Sequence, residues 1–148
     1  LNRFSSGDTI KLANTNAEWM NACKRHLPIC CYYDFNKENK ELGLLFNFYA
    51  FSDKRNLAPA GLRLLNEHDE LTEDSPLNFY GGTYSGSENK FLGINKETFF
   101  WSQCLESDPT YNKWCFWKIL PEDNPSHFDE FPEYQGMYVL CIKEEIKK

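Results

Sequence analysis

Valine is nearly missing from this chain, with Val139 its only copy in 148 residues. The β-branched filler of ordinary sheets is therefore scarce, and another class of side chain must pack the interior. No apolar run approaches the roughly 18–20 residues that a membrane-crossing helix needs, so no membrane insertion is expected. Positive charge is also in short supply. Lys and Arg number 16 against 22 Asp and Glu, for a net charge of −6. A nucleic-acid backbone or an anionic bilayer asks for a cationic face, so neither is expected as the main partner. The chain has no Gly-x-Ser-x-Gly elbow, no phosphate loop and no His-Glu-x-x-His pair. On that ground no catalytic residue, no metal and no cofactor is expected. Asn-x-Ser/Thr acceptors are missing too, since Asn124-Pro125-Ser126 is excluded by its proline. Residues 1–8 lack the basic start and apolar stretch of a signal peptide.

Aromatic rings are what the chain has instead. Four Trp, eight Tyr and twelve Phe make 16% of it. Rings bury much area each and favour strands and interfaces, so most are expected in the core. Any surplus left outside would form a recognition surface. Leu, Ile, Val and Phe together supply about a quarter of the residues, enough to exclude a disordered chain. The length suits a single globular domain over 1–148.

Thr15-Asn16-Ala17-Glu18 is a capping box, and Trp19, Ala22, Cys23 and Leu27 repeat on one helical face before Pro28. The pattern predicts a helix over 16–27, with Lys24, Arg25 and His26 in its last turn. Residues 29–35 and 44–51 read as strands of an antiparallel hairpin. Pro59 could open a second helix, with a strand at 62–66 as the alternative. Residues 91–94 and 98–104 suggest a hairpin around Asn95-Lys96-Glu97. Residues 108–120 read equally as helix or strand. The proline- and acid-rich 121–136 reads as loop, and 137–142 as a last strand. The expected fold class is α+β, an antiparallel sheet with one or two packed helices. A faint echo between 10–14 and 62–66 keeps an all-β, trefoil-like alternative open.

Six cysteines, Cys23, Cys30, Cys31, Cys104, Cys115 and Cys141, allow up to three disulfides. A bridge from Cys23 to Cys30 or Cys31 would fasten the helix to the next strand. Cys104 and Cys115 would close the segment between them, and Cys141 would take the remaining cysteine. This count leans toward a secreted or extracellular protein, with the cytoplasm as alternative. Cys23, His26, Cys30 and Cys31 also have the composition of a zinc site. Adjacent cysteines on a strand point to opposite faces, however, so the metal reading ranks below the disulfide.

The most suggestive stretch for function is 78–89. Asn78, Tyr80, Thr83, Tyr84, Ser85 and Asn89 supply the Tyr/Ser/Gly/Asn mixture of antibody contact loops. It predicts a non-enzymatic binding module that holds a protein or glycan partner through that loop and nearby surface aromatics. The alternative is a small enzyme or inhibitor built on the acidic loops around His68 and His127.

Overall fold

The capping box forms at the start of α1 (Asn16–Lys24) in the computed structural model, which describes residues 2–69, 80–103, 115–121, 125–129 and 132–144. Thr15 Oγ1 accepts from the Glu18 amide at 3.2 Å, and the Glu18 carboxylate reaches back to the Asn14 amide. Trp19, Ala22 and Cys23 are buried as their spacing requires. The helix ends earlier than the expected residue 27. His26 takes a left-handed conformation (φ 57°), so its amide bonds to the Cys23 carbonyl and the Leu27 amide to that of Ala22. That pair of bonds is a Schellman reversal, with His26 where glycine is usual. Leu27 is thereby swung off the helical face and stays 43% exposed.

The predicted hairpin exists in shortened form. β1 (Cys30–Cys31) pairs antiparallel with β2 (Leu45–Phe46). Much of the remainder of each predicted strand is helical, with Tyr33–Phe35 a 3₁₀ turn and α2 covering Phe48–Phe51, while the predicted turn between them holds 3₁₀ turns over Lys37–Leu42. Asn47 is the reason for the second break. Its buried side chain accepts from the Ala50 amide at 2.9 Å and so caps α2, where a strand pattern would have continued. Pro59 opens no helix. Gly61 is in a left-handed turn that leads into β3 (Leu62–Leu64).

Six strands form the main sheet: β4 (Gly81–Ser85), β5 (Lys90–Ile94), β6 (Thr98–Ser102), β7 (Cys115–Ile119), β8 (Ser126–Asp129) and β9 (Gln135–Gly136). The sheet corrects two expectations and decides a third that was open. Residues 91–94 and 98–102 are strands but not partners of one another. β5 pairs antiparallel with β4, while β6 meets the opposite edge of β4 in parallel at Gly82 and Thr98. The turn between them crosses the end of β4 instead, bonding Asn95 N to Tyr80 O and Gly82 N to Glu97 O. Residues 115–119, equivocal by propensity, are a strand because β6 and β8 flank them on both edges. The supposed loop 121–136 contains β8 and β9.

Residues 135–143 stitch the pieces together. β9 pairs with β4, Met137 exchanges two backbone bonds with Phe46, and Tyr138 lies beside Phe100. β10 (Cys141–Lys143) then pairs with β3. Strands and helices are combined in an α+β arrangement. Rings do take valine's place in the core, with Trp19 and Trp101 fully buried. Among the described residues no helix is long and apolar enough to cross a membrane.

Candidate functional site

The Tyr/Ser/Gly stretch is a strand, and this overturns half of the expected contact surface. Tyr84 lies on β4 with neighbours on both edges, so its side chain must enter a packed layer. It is fully buried, stacked on Phe91 at 4.2 Å and edge-on to Trp19 and Phe35. Its hydroxyl accepts from Asn16 Nδ2 at 2.6 Å and donates to Asn89. Burial raises the phenol pKa, with the Asn16 bond opposing it. Thr83 is buried too, donating to the Gly136 carbonyl at 2.6 Å and accepting from Gln135 Nε2. Neither can meet a partner. Tyr80 is half-buried against the core, and Asn89 sits exposed in the β4–β5 turn at φ 52°. Asn78 lies outside the described residues. The alternation Thr83-Tyr84-Ser85 before Phe91-Leu92 was the available sign of a strand, masked by the glycines around it.

The cysteines also depart from expectation. Cys23, Cys30, Cys31 and Cys141 are free thiols, so the bridge from α1 to β1 and the pairing of Cys141 do not form. Cys115 is disulfide-bonded, and Cys104 lies outside the described residues. Cys23 and Cys31 instead pack with Trp19 and Leu45 as small apolar side chains. His26 is turned outward and stacks on Tyr49 at 4.7 Å, apart from those sulfurs. Among the described residues no cluster of three or more His, Cys, Asp or Glu could hold a metal ion.

Burial pushes the Cys23 thiol up to about 11, against a weaker opposing bond from Asn47, and the Cys30 thiol up to about 12. Burial also raises the Cys31 thiol well above its ordinary value, with Cys30 and Cys23 adding to it. A raised thiol pKa stabilises the fold fully below the ordinary value near 9 and is lost as pH climbs toward the folded value. Thermal stability is therefore expected to hold from pH 7 to about 8.5 and to fall between about 9 and 12. Native alkylation with iodoacetamide at pH 8, followed by peptide mass spectrometry, should modify half-buried Cys141 first. Prompt labelling of Cys23, Cys30 or Cys31 would contradict this burial.

The histidines of the alternative reading fall on separate elements. His68 lies in the turn after β3, where its neighbour Asp69 is engaged by Arg63 at 2.6 and 2.8 Å and by the Asn66 amide. Those bonds, the Arg63 contact first, lower the Asp69 pKa. His127 stands on β8, its ring edge-on to Trp117 across the strand pair.

One part of the predicted stretch does reach a cleft. Ser85 and Ser87 face Pro132, Glu133, Tyr134 and Gln135 across a space of about 300 Å³. Its floor is fixed by backbone. Ser85 pairs with Gln135, Gly86 N donates to Tyr134 O at 3.0 Å, and Trp19 Nε1 donates to the same oxygen at 2.9 Å. Gly86 permits this closeness: a Cβ there would stand 2.6 Å from Tyr134 O and 2.7 Å from the Trp19 ring. Above that floor, the hydroxyls of Ser85, Ser87 and Tyr134 and the Glu133 carboxylate make no hydrogen bond among the described residues. Gln135 uses its amide nitrogen on Thr83, and its side-chain oxygen makes no hydrogen bond among the described residues. Sequence reasoning missed 132–135 because nothing local reveals that a proline-rich stretch returns beside β4.

In comparisons with known proteins, the chain matches no family model, no curated protein and no solved structure. The reading of function therefore rests on this geometry.

Proposed function

We propose that the chain is a non-enzymatic binding module for a polyhydroxylated ligand, a glycan, held between Ser85, Ser87 and the 132–135 segment. The observation that carries this reading is the convergence of unengaged polar groups on one fixed floor. Hydroxyls both donate and accept, a carboxylate accepts, and an amide oxygen accepts, which is the complement of a sugar's hydroxyl array. Tyr134 adds a ring face, and Pro132 an apolar edge, for the C–H side of a pyranose. A floor set by backbone bonds is preorganised, so little ordering cost falls on binding.

Titrating the ¹⁵N-labelled chain with maltotetraose, cellotetraose, chitotetraose and mannotetraose tests this directly. At least one should shift the amides of Ser85, Ser87, Tyr134 and Gln135 together. Tyr134→Ala should then weaken binding about ten-fold, close to 1.4 kcal/mol, with a thermal melt to separate this from its packing against the core. Four silent titrations, or unchanged affinity in Tyr134→Ala, would sink the proposal.

A further inference from the structure

A second groove, about 380 Å³, runs between the segment 4–11 and α1 and shares no residue with the first cleft. Its floor is apolar, with Phe4, Ile10 and Ala22 buried, and Leu27 stands 43% exposed at its side. Leu27 is there because the reversal at His26 removes it from the helical face, as described above. The walls carry Lys11, Arg25 and Arg55 against a single carboxylate, Glu18.

Two of those cations are already engaged. Arg55 grips Asp53 through two nitrogens, reaches Asp8 at 3.5 Å and lies over the Phe4 ring. Lys11 pairs with Glu18 at 3.6 Å. Arg25 makes no ion pair among the described residues. With Asp8, Asp53 and Glu18 set against Arg55 and Lys11, Arg25 is the groove's cation without a carboxylate among the described residues, and it stands beside exposed Leu27. An Arg fork recognises a carboxylate through two parallel bonds.

We propose that this groove docks an acidic peptide segment of a partner protein. An apolar side chain of that segment sits on Phe4, Ile10 and Leu27, and a neighbouring carboxylate meets Arg25. The openness of the walls decides for a peptide. Sites for small molecules hide most of the ligand, whereas Lys11, Arg25 and Leu27 are all exposed and leave room for a chain to continue past the groove. This surface is independent of the glycan cleft.

The test is an amide-shift titration with a blocked Glu-Leu-Glu-Phe-Glu peptide, its Lys-Leu-Lys-Phe-Lys counterpart and phenylacetate. The acidic peptide should move the amides of Ile10, Ala22, Arg25 and Leu27, and Arg25→Glu should weaken it about ten-fold or more. Arg25 is exposed, so that variant folds. A Ser87→Ala/Tyr134→Ala chain should bind the peptide unchanged, which separates this surface from the glycan site. Silence of the groove amides, equal binding of the lysine peptide, or saturation by phenylacetate at the same concentration would each overturn the proposal.

Discussion

Trp19→Ala should lower the unfolding free energy by about 3–5 kcal/mol, the range for truncating a large buried aromatic side chain. For a chain of this length that corresponds to a fall of about 10–15 °C in the unfolding midpoint. Three features explain the size of the effect. The indole is fully buried, packs edge-on against Tyr84 at 5.2 Å and donates to Tyr134 O at 2.9 Å. Gly86 and Gly136 both approach the ring so closely that a Cβ at either would collide with it. Nothing nearby can collapse into the vacated volume without moving β4 or β9. Trp19→Phe is a milder test of the same site. It keeps the six-membered ring but loses the pyrrole part and the N–H, so stability should fall by about 2 kcal/mol, of which about 1 is the hydrogen bond. The cleft floor nonetheless loses one of its two donors to Tyr134 O. Affinity for the proposed glycan should therefore drop in Trp19→Phe out of proportion to its thermal loss. A Trp19→Ala chain melting within about 3 °C of the parent would show that this interior is looser than described.

Asn47→Leu should be comparably severe, at about 3–5 kcal/mol, even though it makes the interior more apolar. Asn47 is fully buried and its amide is used completely. Oδ1 accepts from the Ile29 and Ala50 amides at 3.1 and 2.9 Å, while Nδ2 donates to the Leu27 carbonyl at 2.8 Å and to Cys23 Sγ at 3.7 Å. Leucine nearly matches the shape but leaves two backbone N–H groups and a carbonyl without partners. Each orphaned group costs about 1–3 kcal/mol. Equilibrium urea unfolding, with the slope checked for constancy, measures the loss. Asn47→Asp is the informative companion, since it keeps both acceptor bonds but replaces the donor with a charge facing the Leu27 carbonyl. A near-wild-type midpoint for Asn47→Leu would mean that water or a shifted backbone satisfies those groups.

The start of α1 and the pairing of 30–31 with 45–46 were legible because their signals are local. A hydroxyl three residues before a carboxylate caps a helix wherever it occurs, and Trp19, Ala22 and Cys23 lie one turn apart in any context. Asn47 was read as a mere interruption of a strand, because its role depends on four groups 3 to 24 residues away. The partnership of β4 with β6 and β9, set against the predicted 91–94/98–104 hairpin, depends on which edges are free once other strands have docked. The same holds for function. Tyr84 and Thr83 have the composition of a contact loop, yet strands on both edges of β4 carry them inside. The segment that actually faces Ser85 lies about fifty residues downstream.

Composition by itself determined that aromatic side chains would do much of the core's filling, with one valine against 24 Trp, Tyr and Phe, and that the surface would carry more acid than base at net −6. Tertiary structure alone decided which aromatic rings are inside, which of the described thiols stay free and that Arg25 and the exposed Leu27 line one groove. The physical reason is range. Capping and periodicity act within one or two turns of chain, whereas burial and hydrogen-bond satisfaction belong to neighbours that only the folded topology supplies.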